Sequence, residues 1–549
     1  LTFESDVTVL VGSNNSGKSS LLDALYAALR INRTVRQGAF DLEDYHLADA
    51  TAMAGDAGPI ELTLRFEELS EDEWDSDLIA ALGDAVQLDI HTNRNSLTLR
   101  VQSRAAMAGI DEQYEWSFLN AAGTPLSRKN FSALTKLQTV RPLYPLSTVR
   151  DASREFNRRS SFFSPFVSDP QFDDILRADL TASLGDINFK VVAAHEAFRT
   201  LETSLQSGNS VVTGGASTVT IEAVPSRLSE LLANTHVSFG DRTGAILPLE
   251  RHGSGSQSLA VLSLFRAYVD SKLKSRLDPL SRPILTIEEP ESHLHPTAVR
   301  SLWALISSIE AQIVLTSHSG DLAGEVPLRC IRRVKQTASG ARIFKANESQ
   351  FDARDLRNLN YAIRLTRGEL LLANAWLIAE GRSEAAFLTE IAAVSGIDLL
   401  AAGIRVVEYA QVGGPAPLIL LADQLGIQWH CLCDGDDAGR KNFATAEALL
   451  NGRVLGEHLT SLGSQNLESF LSANGFQEIY AKHASQEKLT KICETPGTRE
   501  YAEAVGLAII KRRKEEAALD VADAVQCGAA QLPELLATLF AQCKVLASL

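Results

Sequence analysis

The first twenty-nine residues confine the fold more than any other stretch. Apolar VTVLVG runs into GSNNSGKS, Gly12 to Ser19, and then into SSLLDALYAAL: a strand, a glycine-rich loop and a helix, in that order. The loop fits the P-loop pattern GxxxxGK[ST]. In that pattern backbone N–H groups at a helix N-terminus surround the phosphates of a nucleotide. Lys18 then reaches the β- and γ-phosphates, and Ser19 ligates Mg²⁺. Gly12, Asn14, Asn15, Ser16, Gly17, Lys18, Ser19 and Ser20 are therefore the expected ATP contacts.

A phosphate cradle needs partners, and the chain supplies them far downstream. PILTIEEPESHLHP is an apolar strand ending in two glutamates. Glu288 is expected to hold the metal and Glu289 to polarise the attacking water. IVLTSHS places His318 at the end of another strand, where it can sense the γ-phosphate. A lone histidine there is more often a loop residue, but the neighbouring motifs reverse those odds. In RHGSGSQSLAVLSLF, small residues lead into a helix, so Ser254, Gly255 and Ser256 offer a second N-terminus suited to phosphate. Helical sequence from Asp173 to about Leu232, broken by the loop-like SGNSVVTGGAST, interrupts what is otherwise one α/β domain. Before it, IELTLRFEEL and LTLRVQS alternate as antiparallel strands do, and EELSEDEWDSD reads as a solvated turn and helix start.

The second chemical centre lies in HCLCDGDDAGRKN. Three aspartates, Asp434, Asp436 and Asp437, follow an apolar run, a costly arrangement unless a cation or a basic partner neutralises it. The bland alternative is an exposed Asp-Gly turn. Upstream, WLIAEGRSEAAFL ends a strand at Glu380 and enters a helix carrying Glu384. Residues i and i+2 of an extended segment share a face, so Asp434 and Asp436 are expected to converge on one ion with Glu380. Glu384 and Glu468, in NLESFL, are further candidate ligands, though each could be a surface glutamate. Oxygen ligands without His or Cys favour Mg²⁺ or Mn²⁺. Two such ions can activate water and stabilise a leaving 3′ oxygen of a phosphodiester. Near the C-terminus, IIKRRKEE offers Lys514 and then Lys511 to hold the scissile phosphate, with a solvated basic helix start as the equal alternative for each.

With 549 residues, the chain is too long for one core. No stretch of about 18 apolar residues could span a bilayer, and LTFESDVTVLVG does not read as a signal peptide. It lacks an initiator Met, so native residues are expected to precede it. The six cysteines form no CxxC pair, and Cys431 and Cys433 are expected to be small buried residues of a strand. A reducing cytoplasm is the expected location. A net charge of −16 disfavours a protein coating nucleic acid throughout, but leaves room for a local basic groove. Two candidates are the ridge Arg150, Arg154, Arg158 and Arg159, and the group Arg30, Arg33 and Arg36.

Two resemblances follow. GSGSQ resembles the signature of ABC-type ATPases, usually LSGGQ, which in that family contacts ATP held by a second subunit; homodimerisation is implied. A Glu at one strand end and DxD at another resembles the Toprim fold. The order of motifs, with PLYPLSTVRDASREFNRRSSFFSPF leading into dimerisation helices, resembles the OLD (overcoming lysogenization defect) family of ATP-dependent endonucleases. The subtype resembled is the one encoded beside a UvrD-like helicase, which includes the Gabija nuclease subunit. The resemblance implies an α/β chain: ABC-type ATPase in 1–165 and 236–368, helical dimerisation insertion in 166–235, and Toprim nuclease domain in 369–549. It also implies ATP-regulated, two-metal cleavage or nicking of DNA in anti-phage defence or repair. It implies a homodimer or higher even oligomer, a helicase partner and no membrane. The alternative from another class is a nucleotide-switched, SMC-like DNA-binding scaffold with an idle Toprim domain.

Overall fold

The computed structural model describes residues 1–29, 40–47, 57–105, 113–146, 172–202, 221–225, 238–240, 246–248, 251–268, 281–292, 294–337 and 340–548. Two compact units divide the chain: Leu1–Leu22, Pro296–Trp303 and Val314–Leu549 in one, and Asp23–His295 with Ala304–Ile313 in the other. The arginine candidates Arg30, Arg33, Arg36, Arg150, Arg154, Arg158 and Arg159 lie outside the described residues.

The chain opens in the first unit with β1 (Val7–Val11), buried at all five positions, and the start of the helix Lys18–Leu29, whose residues from Asp23 on belong to the second unit. It next builds the second unit. There β2 (Ile60–Glu67), β3 (Val86–Asp89), β4 (Arg94–Arg104) and β5 (Gln113–Leu119) form an antiparallel sheet with β4 paired to the other three. Its inner face, Leu97, Leu99, Val101, Trp116 and Phe118, packs on Leu134 and Leu137 of the helix Phe131–Val140. The alternating sequence predicted these strands. Its acidic continuation is not fully solvated: Glu68 is buried because its carboxylate accepts from Trp74 N–H at 2.7 Å and Asn95 N–H at 2.6 Å. Asp75 caps the helix that follows.

Further along this unit come β6 (Leu143–Leu146), a short hairpin of β7 (Ser238–Gly240) and β8 (Ile246–Pro248), and β9 (Ile284–Glu288). β6 and β9 pair in parallel. The helical block begins with Asp174–Ala194, capped by Asp173.

Back in the first unit, β10 (Gln312–Ser317), β11 (Ile331–Thr337) and β12 (Gly340–Lys345) join β1 in the order β12-β11-β1-β10. β1 and β11 run parallel, β11 and β12 antiparallel. After the helix Ala353–Leu365, a second sheet takes β13 (Ala375–Ala379), β14 (Ile404–Glu408), β15 (Gln428–Cys433) and β16 (Leu459–Ser461) in the order β14-β13-β15-β16, all parallel. Continuous apolar runs such as AWLIA suit strands covered on both faces. The helices Arg382–Val394, Lys514–Gln526 and Glu534–Ser548 supply that cover through Phe387, Leu388, Ala517, Val521, Leu539 and Phe540. Cys431 and Cys433 are fully buried in β15, as small residues there should be. Among the described residues no helix is long and apolar enough to cross a membrane.

Candidate active site

The P-loop closes over its own lysine. Lys18 is buried, and its ammonium donates to Gly12 O at 3.0 Å and Ser13 O at 2.7 Å. The turn needs a left-handed backbone at Asn15 and Gly17, with φ of 60° and 93°. Gly12 has no room for a side chain, since a Cβ would collide with the Val334 carbonyl of β11. Ser16 Oγ is buried without a hydrogen-bond partner. Asn14, Ser19 and Ser20 are exposed at its rim.

His318 follows β10 directly, exposed, with Ser319 capping the next helix. In the other unit Glu288 ends β9 and lies near enough to Asp23 to help burial raise that carboxyl. Glu289 sits at φ 40°, a strained backbone for a non-glycine residue and one that clusters at functional sites. Ser254, Gly255 and Ser256 open the helix Ser254–Tyr268, as expected, and Gly253 O accepts from Ser256 N–H at 3.0 Å.

The acidic centre forms at the carboxyl ends of the parallel strands, where open α/β sheets place their ligands. Asp434 follows β15 and is buried; burial, then the charges of Glu384, Glu380, Glu468 and Asp436, push its carboxyl up to about 8. One aspartate thus senses all four of the other candidates. Glu384 is also raised, by burial against the bond from Gly381 N–H and then by Glu468 and Glu380. Glu468, buried at the start of Leu467–Leu471, pairs with Lys514 Nζ at 2.6 Å through Oε1. Its Oε2 is buried with no hydrogen-bond partner. An orphaned carboxylate oxygen beside mutually repelling carboxylates is the donor set a hard divalent cation fits.

Local structure modifies the expectation from sequence. The strand ends at Cys433, so Asp434 and Asp436 are not adjacent side chains of one extended strand. Asp436 instead caps the helix Asp437–Ala448, accepting from Gly439 N–H at 2.6 Å, and acts on Asp434 least of the four. Glu384 turns back to its own helix N-terminus. Among the described residues no three such side chains are gathered into one coordination shell. Lys514 reaches the carboxylates, whereas Lys511 is exposed in the turn Lys511–Arg513. Asp437 points outward, paired with Arg440.

Sequence reasoning missed Tyr409. This buried residue beyond β14 donates its hydroxyl to Glu380 Oε2 at 3.1 Å and receives Asn442 Nδ2 at 3.4 Å. Only its place at the end of the strand GIRVVEYA could have marked it. Ser464 was missed too: its carbonyl accepts from Gly435 N–H at 2.8 Å, and its hydroxyl bonds Glu503 at 2.8 Å, fixing the aspartate loop. A pocket of about 280 Å³ opens beside this cluster, bounded by Glu384, Phe387, Glu468, Tyr480, Lys514 and Leu519 among others.

Comparison with known proteins adds a family context. Residues 1–369 match the family described as "Protein of unknown function (DUF2813)". Residues 371–436 match "Overcoming lysogenization defect protein-like, TOPRIM domain". An Escherichia coli K12 protein, "Uncharacterized protein YbjD", is 32% identical over 297 residues, covering 54% of this chain and 52% of that protein. The "Old nuclease" of Escherichia phage P2 is 22% identical over 272 residues, 46% of this chain and 45% of its own. The chain thus spans about half the length of the curated relatives it matches. Among solved structures, the C-terminal region of the Xanthomonas campestris pv. campestris OLD protein aligns at TM-score 0.24 and 18% identity, covering 33% of this chain and 97% of that one. The Pyrococcus furiosus Smc head domain aligns at TM-score 0.36 and 15% identity, covering 64% and 92%.

Proposed function

The chain belongs to the family described as "Protein of unknown function (DUF2813)" and carries an OLD-like Toprim domain, and on that premise we propose that it is an ATP-regulated, divalent-metal-dependent DNA endonuclease. The carrying observation is geometric: Asp434 is buried at the end of β15 with Glu384, Glu380, Glu468 and Asp436 acting on it, and Glu468 Oε2 is buried with no hydrogen-bond partner. Clustering carboxylates in a buried site is costly unless cations neutralise them.

Glu380, Glu384, Asp434, Asp436 and Glu468 would hold Mg²⁺ or Mn²⁺, in one or two sites. When bound, such ions activate water and stabilise the leaving oxygen of a phosphodiester. The chain's own groups do the rest. Tyr409 fixes the direction of Glu380 through its hydroxyl. Ser464 holds the Asp434–Gly435 backbone in place. Lys514, bonded to Glu468, supplies a positive charge for the scissile phosphate.

In the head, Lys18 and the loop around it would bind ATP, with Ser19 on its Mg²⁺ and His318 at the γ-phosphate. Ser254–Ser256 would reach ATP on a second copy, making a homodimer the working state. The nucleotide then gates access to the nuclease centre, in a cytoplasmic role in anti-phage defence or repair beside a helicase.

The direct test incubates supercoiled plasmid with Mg²⁺ or Mn²⁺ and wild type, Glu380→Ala or Asp434→Ala. Nicking by wild type alone supports the reading. Equal nicking by all three rejects it, and metal and DNA binding without any cleavage returns the protein to a nucleotide-switched scaffold.

A further inference from the structure

A basic face lies on a helix that supplies no residue to either centre. The helix Ala353–Leu365 buries Leu359, Ala362 and Ile363. Arg354, Arg357 and Arg364 lie on its opposite, exposed side, and Arg367 follows just beyond its end. Spacings of three and seven put the three helical arginines on one stripe, with Tyr361 (58% exposed) between them and Leu365 (54% exposed) just beyond Arg364.

In a chain of net charge −16, exposed arginines should find acids, and these do not. Arg354, Arg357, Arg364 and Arg367 make no ion pair among the described residues. Three of the nearby acids are otherwise engaged. Asp352 caps the helix through Arg354 N–H and Asp355 N–H, both at 2.7 Å. Glu369 holds Arg405 at 3.0 Å, and Glu325 holds Arg300 at 2.8 Å. Arg300, Arg364 and Arg367 meet around a pocket of about 260 Å³ whose acids are Asp321 and Glu325. Arg367 is held there at φ 48° by the turn into Gly368, which packs backbone to backbone against Gly320 and Gly324. The backbone that carries Arg367 is therefore held in place.

We infer that this face, Arg354, Arg357, Arg364 and Arg367 with Tyr361, binds the phosphodiester backbone of DNA. Guanidinium groups match phosphate oxygens two at a time. Ten residues from Arg354 to Arg364 span roughly 15 Å, the length of about four base steps. An exposed tyrosine within such a stripe offers a stacking surface to an unpaired base. The inference rests on DNA being the substrate, and it places the track on the helix that leads from β12 into β13.

The test is binding of the full chain to fluorescein-labelled 30-nucleotide DNA, duplex or single-stranded, in EDTA, as a function of salt. The triple variant Arg354→Gln/Arg357→Gln/Arg364→Gln should bind at least tenfold more weakly. Its slope of log affinity against log salt should be shallower by about 2.7 for duplex, or about 2 for single strands, from roughly 0.9 or 0.7 per phosphate contact. The corresponding triple Lys variant should restore most of the slope, and Tyr361→Ala should weaken only the single-stranded probe. An unchanged slope in the Gln variant overturns this surface but leaves the nuclease reading standing if plasmid is still nicked. Failure of wild type to bind either probe overturns this surface, and the nuclease reading falls with it if plasmid is also left uncut in Mg²⁺ or Mn²⁺. Binding through these arginines without cleavage in Mg²⁺ or Mn²⁺ keeps the surface and rejects the nuclease.

Discussion

Lys514 and Glu468 show how one contact separates two similar residues. Both Lys511 and Lys514 belong to one basic segment, but only Lys514 meets a buried carboxylate, at 2.6 Å. Lys514→Ala removes the partner of that anion and should lower stability by about 2 kcal/mol in chemical denaturation. In the plasmid assay it should reduce nicking roughly 100-fold, whereas Lys511→Ala should stay within about twofold. His430, inside β15, gives the pH dependence. Its Nδ1 meets Glu457 O at 2.8 Å, its Nε2 meets Thr460 Oγ1 at 2.9 Å, and burial pushes it from 6.5 down to about 4. The unfolded chain therefore takes up a proton that the folded one refuses. Stability from this residue is complete above pH 6.5 and falls between 6.5 and 4, by about 3 kcal/mol at most. Denaturation of His430→Gln at pH 7.5 and 4.5 should show a smaller pH difference than wild type does.

At the scale of elements, the two centres share one construction: a buried strand ends, a tight loop turns, and a helix begins. Glycine makes each turn possible. A Cβ on Gly439 would collide with the Asp434 carbonyl, and one on Gly435 would lie 2.6 Å from Ser464 O. Gly439→Ala should therefore displace Asp434, abolish nicking and lower the melting temperature by several degrees. Gly12→Ala, colliding with Val334, should instead abolish binding of a fluorescent ATP analogue and leave metal binding at the carboxylates unchanged, as read by melting shifts in Mn²⁺. The strand–loop–helix order was legible from hydrophobic runs broken by GSNNSGK and DGDDAG. Which side chains the turns would use for capping was not. Asp436 and Glu384 satisfy backbone N–H groups at helix starts, and a sequence does not distinguish a cap from a ligand when the same carboxylate suits both.

Across the whole chain, β11 ties the P-loop strand to the C-terminal sheet region within one compact unit. Arg333 is buried and donates to Leu425 O and Gly426 O at 3.1 Å and to Ala373 O at 2.7 Å. Burial pushes its guanidinium down to about 10. Arg333→Met would leave three carbonyls unpaired and should cost about 3 kcal/mol or more, with ATP losing any effect on nicking. Metal removal is the other global test. EDTA should stop nicking, and Mn²⁺ at a hundred times its dissociation constant should stabilise wild type by about 2.7 kcal/mol and Glu468→Gln by less. The sequence by itself determined the local series: buried runs, phosphate loop, paired glutamates and an acidic loop after a strand, because hydrophobic period and turn chemistry act over a few neighbours. Only the tertiary structure decided that Glu468 and Lys514 meet, that Tyr409 holds Glu380, and that Glu68 is an interior anchor. Those partners are 46, 29 and 27 residues apart in their respective pairs, counting Glu68 to Asn95, and at such separations it is packing of sheets and helices, not adjacency, that selects which charges share a site.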